Sequence, residues 1–369
     1  MAKRIGGDKW MFFTTVLLVV VGLAMVFSAS AVVAQERYHS PYTFIGKQAL
    51  WALAGLTALL FLSRLDYSLY KSPRFIFPAF SLTTILLAMV FFFPRSNNAR
   101  RWIRFGGFSF QPSELAKLML VLFLAWFLST RLDKINKWST LWRACFIPLV
   151  FIALIVLEPD LGTALVMAGV TAMMLFLAGM AWKFLIGGIC VSLPILAWEL
   201  FGVSWRLKRI LVFVRFFFHP NCDLKDTGAA SYHTCQSLIA VGTGGVGGLG
   251  FMDGQQKLFF LPEPYTDFIF ANIAEEMGLI GAIFILCLFT YFGYRGLRTA
   301  YRSQDPFARL AAFGITMTIL LQAFFNISVV IALLPTKGIP LPLISSGGTS
   351  LCFTLASIGI LLNISRKVD

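Results

Sequence analysis

The sequence predicts an all-α polytopic membrane protein, a bundle of ten transmembrane helices with one large extracytoplasmic connection between the seventh and the eighth. Three observations predict it. Of 369 residues, 58% are hydrophobic and only 13% charged, and the mean hydropathy is +0.79, more apolar surface than a water-soluble domain of this length can hide. The apolar residues gather into ten long stretches. The segment 202–267 breaks that series with a dense cluster of polar, Gly and Pro residues.

A span needs roughly 20 apolar residues whose backbone groups bond within the helix. Helices are therefore expected at 11–33, 46–62, 76–93, 113–129, 141–157, 161–180, 184–201, 268–292, 310–334 and 343–364, within one membrane domain covering 1–369. The first stretch is uninterrupted, and Phe27–Ser30 is a poor cleavage context, so it reads as a helix rather than a signal peptide. An even number of spans puts both termini on one side. Lys3, Arg4, Lys9, Arg64, Lys71, Arg74, Arg131, Lys134, Lys137, Arg143, Arg295, Arg298, Arg302, Arg309, Arg366 and Lys367 all fall on that side. The positive-inside rule makes it cytoplasmic. Arg95, Arg100, Arg101 and Arg104 fall on the other side, where topology gives no reason for them; they are expected to meet an anion.

Ionisable groups at the rim of a membrane bundle are costly, so each is a candidate for function. Glu114 and Lys117 open the fourth helix on one face. They read either as an internal ion pair that fixes packing or as a pair lining a polar cavity. Asp160 starts the sixth helix, as a cap or as a carboxylate facing the same mouth. Asp267 starts the eighth, behind the stiff Pro262-Glu263-Pro264. Glu275 and Glu276 lie two turns deeper and need a buried cation or polar backbone. Trp102, among three arginines, can stack on a sugar or seat at lipid headgroups.

The run Gly242–Gly247 matches GxGxxG, but no strand precedes it and no βαβ unit surrounds it. Its glycines are expected instead to permit irregular backbone packed within protein. Ile344–Ser350 reads as a broken helix start able to hold an anion or an adjacent loop. Cys145, Cys190, Cys287 and Cys352 lie in apolar stretches as packing residues. Cys222 and Cys235 share the long outer segment and could form a disulfide in an oxidising compartment; the sequence leaves that open. No Cys/His spacing suits structural zinc, and no feature suggests nucleic acid.

The runs NNARRWIRFGGFSFQPSELAKL, EPDLGTAL, QSLIAVGTGGVGGLGF, QKLFFLPEPYTDFIFANIAEEMG and LLPTKGIPLPLISSGGTS resemble the SEDS family (shape, elongation, division and sporulation), ten-helix bacterial glycosyltransferases that polymerise lipid II. The resemblance spans essentially the whole chain, and QKLFFLPEP and LLPTKGIPLPLIS are closer to the division branch than to the elongation branch. Tyr265 stands where the family usually has His, Ser346 where it usually has Tyr, and Ala274 where the division branch usually has Gly. The resemblance implies that Asp267 is the essential outer acid and general base, and that Trp102, Glu114, Lys117, Asp160 and Lys337 matter for substrate. Arg101, Arg104 and Lys117 are expected on the departing diphosphate, with Lys337 behind them, and a Mg2+ or Mn2+ ion could ride on that diphosphate. It further implies the cytoplasmic (inner) membrane at the division septum, a class b penicillin-binding protein as transpeptidase partner, for which the eighth and ninth helices are taken as the docking face, and other divisome membrane proteins; direct displacement of the diphosphate predicts inversion without a covalent intermediate. The rival readings are a lipid II flippase, which would put its charges at the midplane, and a non-catalytic scaffold, which would not need Asp267.

Overall fold

The computed structural model describes residues 7–368 apart from 95–99, 106–107, 203, 219–227 and 259. It contains α1 (Lys9–Tyr38), α2 (Thr43–Arg64), α3 (Pro73–Met89), the hairpin β1 (Ile103–Phe105) and β2 (Phe108–Phe110), and α4 (Pro112–Ser129). Then follow α5 (Trp138–Leu157), α6 (Leu161–Leu177), α7 (Trp182–Phe201), α8 (Ser204–Phe218), α9 (Gly228–Thr243), α10 (Ile269–Arg302), α11 (Pro306–Val330) and α12 (Gly348–Ser365). Among the described residues nine helices, α1–α5, α7 and α10–α12, are long and apolar enough to cross a membrane, and α6 is a shorter apolar helix. Its 17 residues stand at the lower limit for a span. The protein is a multi-pass membrane protein.

Each expected stretch falls on a helix, with displaced ends. α10 runs on to Arg302 because nothing stops it before the Asp305 cap and Pro306 of α11, so Arg295 and Arg298 ride on its last turns rather than in a connection. α12 begins only at Gly348, because Leu343 has a left-handed φ of 67° and the turn after it bonds to other loops. The segment 202–267, read from the sequence as one loop, holds α8 and α9. Their apolar residues recur every three to four positions, but 15 and 16 residues are too few for an ordinary span. The hairpin is the one departure from all-α structure among the described residues.

α4 sits at the centre, against α3, α5, α6, α11 and α12, while α12 lies along α2 and α10 against α1, α9 and α11. The two chain ends meet at one end of the bundle. The Asp8 backbone N–H donates to Ser365 Oγ at 3.0 Å, and Arg295 Nε lies 2.6 Å from the Asp8 carboxylate. Lys71–Asp305 and Lys367–Asp66 pairs stand at the same end.

α10 is broken at Gly278, whose φ of 64° and ψ of −162° belong to a region open essentially to glycine alone. The Gly-rich segment repairs the break. Leu249 and Gly250 donate their N–H groups to the Glu275 and Glu276 carbonyls, both at 3.0 Å, and Leu279 and Ile280 donate to the Gly245 and Val246 carbonyls at 2.9 and 3.3 Å. A Cβ at Gly244 would lie 1.9 Å from the Ala274 carbonyl oxygen, so only glycine permits this approach. The expected irregular backbone forms after α9 and is bonded to α10, but of residues 244–247 only Gly244 is buried, so the segment lies against the protein rather than packed within it.

The deep glutamates find the partners they need. Glu276 takes Lys257 Nζ at 2.7 Å, Ser28 Oγ at 2.5 Å and the Met252 N–H at 3.1 Å. Glu275 takes the Gln255 and Gln256 N–H groups at 2.8 and 3.1 Å. Replacing Gly278 by Ala should cost about 1–3 kcal/mol from backbone conformation alone, before the overlap of its Cβ with Gly248 N at 2.3 Å. The expected outcome is a lowered thermal midpoint and a reduced monodisperse fraction in detergent; wild-type behaviour would mean that the break carries no strain.

Candidate functional site

At the end of the bundle opposite the chain termini, a cavity of about 850 Å³ opens between the hairpin, the starts of α4 and α6, the Tyr265–Asp267 turn, the Gly338–Pro340 loop and the start of α12. The residues selected from sequence converge there: Arg101, Trp102, Arg104, Glu114, Lys117, Asp160 and Asp267 all line it. Lys337 does not; it lines an adjoining pocket of about 310 Å³. Arg100 turns away and donates to the Phe91 carbonyl. Arg95 lies outside the described residues.

Pro112 opens α4 and sets Glu114 in its first turn, where a carboxylate meets the exposed N–H groups favourably. Lys117 Nζ lies 2.9 Å from Glu114 and 2.6 Å from Gln322 Oε1. Gln322 in turn donates to the Pro340 carbonyl at 2.9 Å. Both readings of this pair hold at once, since it ties α4 to α11 and also faces the cavity. The same is true of Asp160. It caps α6 through the Thr163 N–H and hydroxyl at 3.3 and 3.0 Å, and it lies 3.8 Å from Arg101. Arg101 also donates to the Pro159 carbonyl.

The Asp267 turn is held by side chains from three sides. Asn326 Nδ2 donates to the Asp267 carbonyl at 2.8 Å and to the Ile339 carbonyl at 2.7 Å. Ser345 Oγ donates to the Thr266 carbonyl at 2.6 Å, and the Ser346 N–H to the Tyr265 carbonyl at 2.9 Å. Of the two roles expected for Ile344–Ser350, binding the adjacent loop is the one formed. The Asp267 side chain is half-buried, with the cavity as its opening. Burial first, and then Glu263, push its carboxyl up to about 7, with Asp160 adding to the rise and Arg101 and Arg209 opposing it. Beside it, Tyr265 packs on Phe44 at 4.8 Å between ring centroids, and burial followed by Glu263 pushes its phenol to about 12. Its hydroxyl is therefore a neutral group at ordinary pH.

Sequence reasoning missed Glu158, Arg209, Gln322 and Asn326. Gln322 and Asn326 carried a signal, two amides four residues apart within an apolar span, hence on one helical face. Arg209 carried none, because it lies in a basic run on a helix that was read as loop. Cys235 is disulfide-bonded; Cys222 lies outside the described residues. Cys145, Cys190, Cys287 and Cys352 are free. Among the described residues no group of three or more His, Cys, Asp and Glu side chains is placed to hold a metal ion.

The fold and the site define a polytopic membrane protein with a polar cavity at one end, lined by a half-buried acid and several cations. The family model for FtsW, RodA and SpoVE, described as cell cycle protein, matches residues 8–369, and the chain belongs to that family. It is 40% identical over 366 residues to the probable peptidoglycan glycosyltransferase FtsW of Geobacter metallireducens, covering 98% of this chain and 95% of that one. It is 37% identical over 371 residues to the stage V sporulation protein E of Bacillus subtilis, covering 99% and 98%. Among solved structures it resembles the rod shape determining protein RodA of Thermus thermophilus, with TM-score 0.72 and 26% identity over 99% of this chain and 98% of that one. It also resembles a chain from a peptidoglycan synthase complex solved to show how polymerization and crosslinking are coordinated, with TM-score 0.79 and 26% identity over 98% of both.

Glu158 offers a test of the site's electrostatics. It is fully buried, and neither carboxylate oxygen has a hydrogen-bond partner. Burial, then Asp160, raise its carboxyl from an ordinary 4.5 to about 8, against Arg101. The folded state thus holds a proton that the unfolded state releases, so stability falls as pH climbs from about 4.5 to about 8 and stays reduced above it. Glu158→Gln should raise the thermal midpoint by several degrees at pH 9 and leave it nearly unchanged at pH 5. An equal effect at both values would show that Glu158 does not carry the proton.

Proposed function

We propose that this chain is a peptidoglycan glycosyltransferase that polymerises lipid II into glycan strands on the outer face of the cytoplasmic membrane during septal wall synthesis, with Asp267 as general base. The observation that carries the proposal is the position of Asp267, on the wall of the same 850 Å³ cavity as Arg101, Arg104 and Lys117, in a chain 40% identical to a probable glycosyltransferase of that kind. A carboxyl titrating near the working pH is suited to accept a proton in a transition state and give it up afterwards.

The 4-hydroxyl of the acceptor GlcNAc attacks the anomeric carbon of the donor MurNAc and passes its proton to Asp267. The new C–O bond forms as the bond to the diphosphate breaks, and the electron pair leaves on the diphosphate oxygen. Arg101, Arg104 and Lys117 stabilise that charge in a setting with little water. One displacement inverts the α-linked donor to a β-linked product without a covalent enzyme intermediate. Trp102 offers its ring to a sugar within the cavity. A Mg2+ or Mn2+ ion carried by the substrate diphosphate would meet the Asp160 carboxylate. Both termini lie in the cytoplasm under this reading, as the positive-inside rule requires. A class b penicillin-binding protein docks on α10 and α11, with other divisome proteins around it, in keeping with the synthase complex that this chain resembles.

Purified protein in neutral detergent with lipid II, scored for glycan product, tests the proposal. Asp267→Asn should fold and insert but make no detectable glycan; near wild-type polymerisation would remove Asp267 as base. The base works ionised, so the wild-type rate should fall about tenfold per pH unit below about 7 and level off above it. A flat profile between pH 5 and 8 would overturn the assignment.

The arginines separate a specific anion site from general attraction to the membrane. Losing a buried charge-assisted contact costs about 1.5–3 kcal/mol, or roughly 10- to 150-fold. Arg101→Gln should show a loss of this size and Arg100→Gln a much smaller one, since Arg100 is engaged with the Phe91 carbonyl. Equal small losses in both, measured as lipid II turnover without anionic lipid, would refute diphosphate binding at Arg101.

A further inference from the structure

The Asp267 carboxylate is flanked by two features that take no part in the displacement itself. One is the Gly338 backbone. A Cβ there would fall 2.5 Å from Asp267 Oδ2 and 3.3 Å from its Cγ, closer than a side chain and a carboxylate can stand. The φ of Gly338 lies outside the left-handed region, so what glycine supplies here is space. The carboxylate rests against bare backbone, and that backbone is fixed. Asn326 Nδ2 donates to the neighbouring Ile339 carbonyl at 2.7 Å and to the carbonyl of Asp267 itself at 2.8 Å. Gln322 donates to the Pro340 carbonyl at 2.9 Å. α11 thus sets the gap between the acid and the loop, and residue 338 must be small to fit it.

The other feature is Glu263, four residues before Asp267. Both side chains line the main cavity. Glu263 stands between Pro262 and Pro264 with a left-handed φ of 50°, although a residue before proline is normally held to extended backbone. Such strain persists only where the surroundings over-determine it, and it gathers at functional sites. Here the Glu263 carbonyl accepts the Thr266 N–H at 3.2 Å and the Thr266 hydroxyl at 3.3 Å. The Glu263 carboxylate accepts from the Tyr265 hydroxyl, and the Tyr265 ring is packed on Phe44. A second carboxylate is therefore tied to the turn that carries the acid.

The other charged groups around Asp267 come from separate elements. Arg101 precedes β1, Asp160 caps α6, Arg209 lies on α8, and Lys337 is on the Gly338 loop. Glu114 and Lys117 of α4 are paired with each other, and α11 presents the neutral Asn326. Arg101 and Arg209 favour the ionised acid; burial, Glu263 and Asp160 favour the neutral one, burial first and Glu263 second. The close approach of Gly338 contributes to the first, and the strained turn supplies the second.

We propose that Gly338 and Glu263 are positioning residues for the base: Gly338 seats the Asp267 carboxylate against the loop before α12, and Glu263 holds a second negative charge near it, the two together setting how readily Asp267 takes a proton. The proposal deepens the glycosyltransferase reading and rests on it for the role of Asp267.

Two measurements on the full chain test it. One is lipid II turnover against pH in neutral detergent. The other is titration of the Asp267 carboxyl by infrared difference spectroscopy in phosphatidylcholine nanodiscs, assigned by its loss in Asp267→Asn. Both should centre near 7 in wild type. Glu263→Gln keeps the size of the side chain and an acceptor for Tyr265 but removes the charge. Gly338→Ala adds a methyl that pushes the carboxylate out of its seat. A displacement of about 1 Å at a reacting group costs on the order of 100-fold, so kcat should fall by about that much in Gly338→Ala and only a few-fold in Glu263→Gln. In both variants the acid limb of the rate profile and the infrared titration should move together to lower pH, because an acid relieved of burial or of a neighbouring negative charge ionises more readily. Glu263→Asp, which keeps the charge, should leave both close to wild type. Thermal midpoints check the fold. An infrared titration unmoved in Glu263→Gln would remove Glu263 from this role, and one unmoved in Gly338→Ala would remove Gly338; lower turnover with neither titration moved would overturn the proposal and leave the glycosyltransferase reading intact. Absence of glycan from wild type would sink that reading, while the infrared titration would still decide whether the two residues act on Asp267.

Discussion

One amide holds the working end of this molecule together. Asn326 Nδ2 donates to the carbonyls of Asp267 and Ile339 at once, joining the loop that carries the acid to the loop that carries Gly338 and Lys337. The need is physical. The cavity wall is built from backbone that is not helical, and within a membrane protein every such polar group must find a partner in protein. Gln322 satisfies Pro340, Ser345 satisfies Thr266, and Gln48 accepts the Gly347 N–H. These amides and the hydroxyl come from α2, α11 and the loop before α12, so the wall depends on the packing of those helices. The rigidity of Asp267 is therefore a property of the bundle rather than of its own loop.

The second constraint is electrostatic. Two acids near Arg101 have carboxyls that titrate near neutrality or above it, Asp267 and Glu158, and burial is the leading cause for both. They differ in access. Glu158 is sealed without a partner, whereas Asp267 opens to the cavity. A neutral Glu158 limits the negative charge around Asp160, which leaves Arg101 the dominant cation where the two cavities meet. The acid that opens to the cavity is thus basic enough to take a proton near neutral pH.

The spans were legible because roughly 20-residue apolar stretches have no other stable fate. Asp267, Asp160, Glu114 and Lys117 were legible because charged residues at the ends of such stretches are expensive. What was not legible followed from long-range pairing. That Gly278 would break α10, and that residues 245–250 would supply the missing partners, depends on two segments about 30 residues apart meeting backbone to backbone. Nor could the sequence show that Lys257, from the same outer segment, would turn inward to Glu276. α8 was hidden for a different reason: its cations interrupt the apolar run, so a helix that lines a pocket looks like polar loop.

The interior beneath the site argues against passage through the bundle. A transporter needs a polar route toward the midplane that can open to either side. Here the Glu114–Lys117 pair and its link to Gln322 close the inner wall of the main cavity. Behind them Leu118, Val121, Ile315 and Ile319 leave a void of only about 20 Å³, room for about one water. Below that, Leu122, Leu124, Ala125 and Leu128 of α4 are fully buried. Along α4, the charged pair Glu114 and Lys117 thus stands at one end of a packed apolar column. Opening a route along α4 would strip Lys117 and Glu114 of each other and expose that column, and each buried charge left alone would cost several kcal/mol, on the order of 3–5. Under the proposed function, chemistry at the mouth needs none of this: a headgroup need only enter a cavity already lined by Asp267 and by Arg101, Arg104 and Lys117.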